Sequence, residues 1–92
     1  MSSEMDQRFV VAANVHARRF DEETVILHLD AGQYFSLDAV GTHVWQELEK
    51  GSSLAEAVES VMGEYDVDED TARNDVRRLA GELIAEGILR RA

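Results

Sequence analysis

The spacing of apolar residues changes period once along this chain, and that change constrains the fold more than any other feature. Between Phe9 and Leu37 the apolar runs are short and alternating, as in strands. From Ala39 to Leu89 they recur every three or four positions, as in helices. Strands first and helices second predict an α+β domain, with a three-stranded antiparallel sheet followed by three helices packed on one of its faces. The 92 residues suffice for one domain, which at that size buries roughly 60–65% of its unfolded surface. No proline, repeat or low-complexity segment marks a linker. Residues 1–8 read as a flexible tail and 9–92 as the domain.

Residues 9–12 (FVVA) form a β-branched run that residues 15–19 continue after a break at Asn14. Residues 24–30 (TVILHLD) are the clearest strand, with Val25, Leu27 and Leu29 on one face and Ile26 and His28 on the other. Asp30, Ala31 and Gly32 suit a tight turn whose glycine takes positive φ. Gln33–Leu37 (QYFSL) then returns as the third strand. Phe35 and Leu37 share the face expected to hold it to the core, while Tyr34 and Ser36 share the other. A sheet this small has an edge that also invites pairing, so a monomer or a weak dimer is expected.

Asp38 is placed to cap a first helix over residues 39–50, with Val40, Val44, Trp45 and Leu48 as its apolar stripe and Gly51 as its stop. Ser53 and Glu56 have capping-box spacing, and the second helix carries Leu54, Val58, Val61, Met62 and Tyr65 on one face. Asp68 caps a third helix running to Glu86, with Glu69 and Asp70 near its positive end. Its expected stripe is Ala72, Val76, Leu79, Ala80 and Leu83. Gly87 fits a left-handed residue past the helix end, with Ile88 reaching back to Leu83.

The chemistry is defined largely by exclusion. With no cysteine there are no disulfides, thiolate metal sites or cysteine nucleophiles. No apolar run approaches the roughly 20 residues that span a bilayer, and the opening MSSEMDQ lacks the basic and apolar regions of a secretory signal. A cytoplasmic protein without membrane association is expected. The net charge of −10 repels nucleic acid and anionic lipid and favours neutral or basic partners. His16, His28 and His43 lack helical ligand spacing, and no Gly-x-Ser-x-Gly turn or glycine-rich phosphate loop is present. The acidic run 64–70 lacks the glycine and terminal glutamate of a calcium loop. No catalytic residue, metal site or cofactor is expected. Arg73, Arg77 and Arg78 lie on one side of the third helix. They suit a solvated face paired with acids such as Asp70 or Glu82, a grip on a carboxylate-bearing partner, or a recognition helix whose hairpin is the wing of a winged-helix DNA binder. The charge opposes the last of these.

Four segments in order carry a family resemblance: residues 29–45 (LDAGQYFSLDAVGTHVW), 53–58 (SLAEAV), 64–79 (EYDVDEDTARNDVRRL) and 83–89 (LIAEGIL). Together they resemble the coenzyme PQQ synthesis protein D (PqqD) family, most nearly its stand-alone members in lasso-peptide biosynthesis. The resemblance implies a fold like a winged helix-turn-helix and a non-catalytic module that recognises the leader of a ribosomally made precursor peptide. The leader is added as a strand beside the third strand, in a groove against the third helix, and is presented to a separate enzyme. That enzyme is a leader peptidase in lasso systems and a radical-SAM enzyme in the quinone-cofactor branch. No cofactor is implied. Carried onto this sequence, the contacts are Gln33, Tyr34, Phe35, Ser36 and Leu37 on the strand. On the helix over residues 72–86 they are Asp75, Val76, Arg78, Leu79 and Leu83, with Asp75 and Arg78 flanking an apolar pocket. A winged-helix DNA binder or a small regulatory protein remains the alternative reading.

Overall fold

The structure is a computed structural model that describes residues 4–92. After a 3-10 turn at Glu4–Asp6 come β1 (Phe9–Val11), β2 (Val15–Phe20), β3 (Glu23–His28) and β4 (Gln33–Leu37). Then follow α1 (Ala39–Glu49), α2 (Leu54–Glu64), α3 (Glu69–Ala85) and β5 (Leu89–Arg91). β2, β3 and β4 form an antiparallel sheet in that order, and the three helices follow it in sequence. This is the expected α+β architecture.

The first strand departs from expectation. Residues 9–11 do not lead into the sheet but pair with β5, Phe9 opposite Arg91 and Val11 opposite Leu89. The break at Asn14 separates the two pairings, and the Asn14 side chain donates to the Asp30 carboxylate at 2.7 Å. β5 (LRR) is too short for its alternation to be visible, and only its long-range partner makes it a strand.

β3 also turns its less apolar face inward. Ile26 is fully buried and Thr24 nearly so, while Leu27 and Leu29 are exposed. The reason is register: Ile26 lies opposite Phe35 and Thr24 opposite Leu37, and residues directly opposite share a face. Leu37 immediately precedes the helix cap, so it is drawn under α1 and takes Thr24 and Ile26 with it. Leu29 belongs to the connecting loop, where the Gly32 N–H donates to the His28 carbonyl at 3.0 Å and Gly32 holds φ +65°. A side chain is disfavoured in that conformation.

All three helix starts form as expected. Asp38, Ser53 and Asp68 accept from the backbone N–H of Gly41, Glu56 and Thr71, and Glu56 completes the capping box by accepting from the Ser53 N–H at 2.8 Å. These bonds hold the Glu56 carboxyl below the usual range through the Ser53 backbone, and the Asp68 carboxyl through Thr71. At the end of α3 the Ile88 N–H donates to the Leu83 carbonyl and the Gly87 N–H to that of Ile84, the Schellman pattern. Val44, Trp45 and Leu48 of α1 meet Val58 and Val61 of α2, Val76, Ala80 and Leu83 of α3, and Ile26, Ile88 and Leu89 in one core.

The tail expected over residues 1–8 has its first three residues outside the described ones. In the rest, Met5 packs against the core, and Arg77 of α3 grips Glu4 through two bonds of 2.7 and 3.1 Å. The Leu54 N–H donates to the Gln7 carbonyl. No helix among the described residues is long and apolar enough to cross a membrane.

Candidate functional site: a strand edge beside a helix

β4 is an edge strand, bonded to β3 on one side only. Which of its backbone groups face the open side follows from the pairing. The Leu29 N–H donates to the Asn14 carbonyl at 3.0 Å, so Asn14 and Leu29 form a hydrogen-bonded pair. Bonded and non-bonded pairs alternate along an antiparallel ladder. In the register of β2 and β3, Leu27 and Val25 therefore bond to β2, while His28, Ile26 and Thr24 turn their N–H and C=O toward β4. Their partners on β4 are Gln33, Phe35 and Leu37. Tyr34 and Ser36 remain, and their N–H and C=O groups point to the open edge. Of the five strand contacts expected over residues 33–37, these two alone turn their backbone groups to the open edge.

The edge runs along α3. At its C-terminal end a cavity of about 390 Å³ is lined by Ser36, Leu37, Asp38, Val40, Gly41, Val44, Asp75, Arg78 and Leu79. At its N-terminal end an open depression is bordered by Gly32, Gln33, Tyr34, Phe35 and Glu86. Asp75 and Glu86 thus stand beside opposite ends of β4, each bordering a separate hollow along the strand. Gly41 lies in the wall of the cavity at a tight junction: a Cβ there would lie 3.2 Å from the Leu37 Cβ and 3.3 Å from the Asp38 carboxylate. β2, the other edge, has Arg18 and Arg19 within an almost wholly exposed strand, the usual way of blunting an edge.

The structure gathers most of the residues expected at the site. Ser36, Leu37, Asp75, Arg78 and Leu79 share the cavity; Gln33, Tyr34 and Phe35 share the depression. Val76 and Leu83 line neither. At 0% and 2% exposure they lie in the core, because α3 presents the row Ala72, Val76, Ala80 and Leu83 to the other elements and a neighbouring row to the groove. Sequence reasoning missed Asp38, Val40, Gly41 and Val44, which α1 brings to the cavity, and Glu86 at the far end. Val40 and Val44 were visible as apolar residues of α1, but their place beside β4 depends on how α1 packs against the strand. Tyr34, 70% exposed, points to the outer face opposite Leu27.

The arginines of α3 separate. Arg73 is paired with Glu69 at 2.7 Å and Arg77 with Glu4, whereas Arg78 stands at the groove 3.7 Å from Asp75. Neither Asp70 nor Glu82 is a partner in these pairs. Among the described residues no group of three or more histidine, aspartate or glutamate side chains is arranged to hold a metal ion.

A three-stranded sheet with an open edge alongside a helix of a three-helix cluster defines a small α+β recognition module. The model of the family described as coenzyme PQQ synthesis protein D (PqqD) matches residues 23–89, and the chain belongs to that family. Among solved structures it is similar to TbiB1 in complex with the TbiA(beta) leader peptide. The identity is 38% over 86% of this chain and 92% of that one, with a TM-score of 0.81. Its fold is also that of lasso peptide synthetase B1 complexed with the leader peptide. There the identity is 24% over 90% of this chain and 98% of that one, with a TM-score of 0.82. No curated protein is matched by the sequence.

Proposed function

We propose that this protein captures the leader of a ribosomally made precursor peptide as a strand added to β4, in the groove against α3. It then delivers the leader to a separate processing enzyme, a lasso-peptide leader peptidase, and is itself non-catalytic. The observation that carries the reading is the open edge of β4, where the backbone groups of Tyr34 and Ser36 lie free above a cavity with Leu37, Val40, Val44 and Leu79 in its wall. Main-chain bonds along such an edge supply generic affinity, and side-chain pockets supply selection. The 38% identical relative was solved with a leader peptide, which supports the same class of ligand here. The engagement of Arg73 and Arg77 with carboxylates, and the net charge of −10, weigh against DNA.

The test is titration of a fluorescently labelled leader, taken from the precursor gene beside this one, with random duplex DNA as control. Saturable binding in the micromolar to nanomolar range, about −8 to −12 kcal/mol, is expected for the leader. Absence of saturation at high protein concentration, or retention of the DNA instead, would overturn the proposal.

A further inference from the structure

We infer that the groove reads alternate side chains of its peptide: a large apolar residue opposite Leu37 and a cationic residue four positions away, opposite Gln33 and beside Glu86. This rests on strand addition at β4 and specifies the peptide that the edge accepts.

Residues directly opposite one another on paired strands project to the same face. Gln33, Phe35 and Leu37 alternate with Tyr34 and Ser36 along β4. Peptide residues opposite the first set therefore point toward α3, and those opposite Tyr34 and Ser36 point to the outer face. Only the first set enters the groove, and its two ends differ in chemistry.

At the Leu37 end the wall is apolar, from Leu37, Val40, Val44 and Leu79. Its charged rim is already engaged within the protein. The Asp38 carboxylate caps α1 through the Gly41 N–H, and Asp75 faces Arg78. A neutral, bulky side chain fits there, since each apolar surface removes the other from water.

At the Gln33 end the lining holds one charged side chain, Glu86. Among the described residues it has no ion-pair partner. The last turn of α3 contains no basic residue to meet the negative end of the helix dipole. Glu82 stands one turn earlier, on the same side of the helix as Glu86. A lysine or arginine on the peptide supplies the missing cation, whereas an acidic residue is repelled. The peptide spacing of four follows from the separation of Gln33 and Leu37.

Fluorescein-labelled peptides of about nine residues test this, being long enough to cover the edge. They have a serine–threonine host sequence carrying one phenylalanine and one lysine, in both orders. Anisotropy gives affinity, and amide exchange of Tyr34 and Ser36 reports strand addition. Spacing i, i+4 is expected to bind about tenfold tighter than i, i+3, which turns one of the two residues outward. Changing the peptide lysine to glutamate is expected to weaken binding about threefold, the scale of an exposed ion pair. Glu86→Lys in the protein should invert that preference. Protection of Tyr34 and Ser36 with equal affinity for both spacings, or with no response to Glu86→Lys, overturns this inference and leaves strand addition standing. Binding without protection of those amides, or no binding, overturns strand addition and this inference with it.

Discussion

Proline at Ser36 should separate peptide capture from folding. The Ser36 N–H points to the open edge and is not used by β3, so replacing it removes nothing from the internal ladder. Its side chain is exposed, and edge strands accept proline. Ser36→Pro should therefore leave stability within about 0.5 kcal/mol of the parent. Binding fares differently. One main-chain hydrogen bond to the added strand is lost, at about 1 kcal/mol. The pyrrolidine ring also occupies the space where the peptide carbonyl must approach, and about 2 kcal/mol in all corresponds to roughly thirtyfold in Kd. Phe35→Pro is the counterpart. Phe35 donates to β3 and its half-buried ring packs against the core, so that variant should lose about 2–4 kcal/mol of stability. Thermal melts by circular dichroism and anisotropy with labelled leader measure both quantities. A folded Ser36→Pro protein with unchanged affinity refutes strand addition at this edge. A fully stable Phe35→Pro protein refutes the assignment of which residues face out.

Ile26→Ala should cost about 3 kcal/mol, because the side chain is fully buried and leaves a cavity, while Leu27→Ala next to it should cost well under 1 kcal/mol; chemical denaturation of the pair reports which face of β3 is the core. Arg77→Ala breaks a paired but half-exposed contact with Glu4 and should cost about 0.2–1 kcal/mol without altering leader affinity, as melts and titration will show. Asp68 and Glu56 have carboxyls held below their ordinary range, so their contribution to stability is present above the unfolded pKa and disappears as pH falls through the lower folded value. Melting temperature should fall on acidification below about pH 4, and Asp68→Asn should flatten that fall.

Local signals fixed most of the elements. Asp38, Ser53 and Asp68 each offer a side-chain oxygen to a free N–H within the next turn, so the helix starts were legible from a few residues. Gly32 and Gly87 marked turns for the same local reason. Of the residues expected at the site, Ser36, Leu37, Asp75, Arg78 and Leu79 line one cavity.

What the sequence left open depends on partners far along the chain. Alternation showed that Ile26 and Leu27 lie on opposite faces of β3 but not which face is buried; pairing with Phe35 and Leu37 decides that. Val76, Leu79 and Leu83 belong to one apolar stripe, yet only packing leaves Leu79 at the groove while enclosing the other two. β1 found its partner in β5, about eighty residues away in sequence, a pairing that no short-range pattern encodes. By itself, then, the sequence determined periodicity, caps and turns, because these are satisfied within a few residues. Tertiary structure decided which face is core, which strand edge stays open and which backbone groups lie free along it, because each depends on contacts that exist only once distant segments meet.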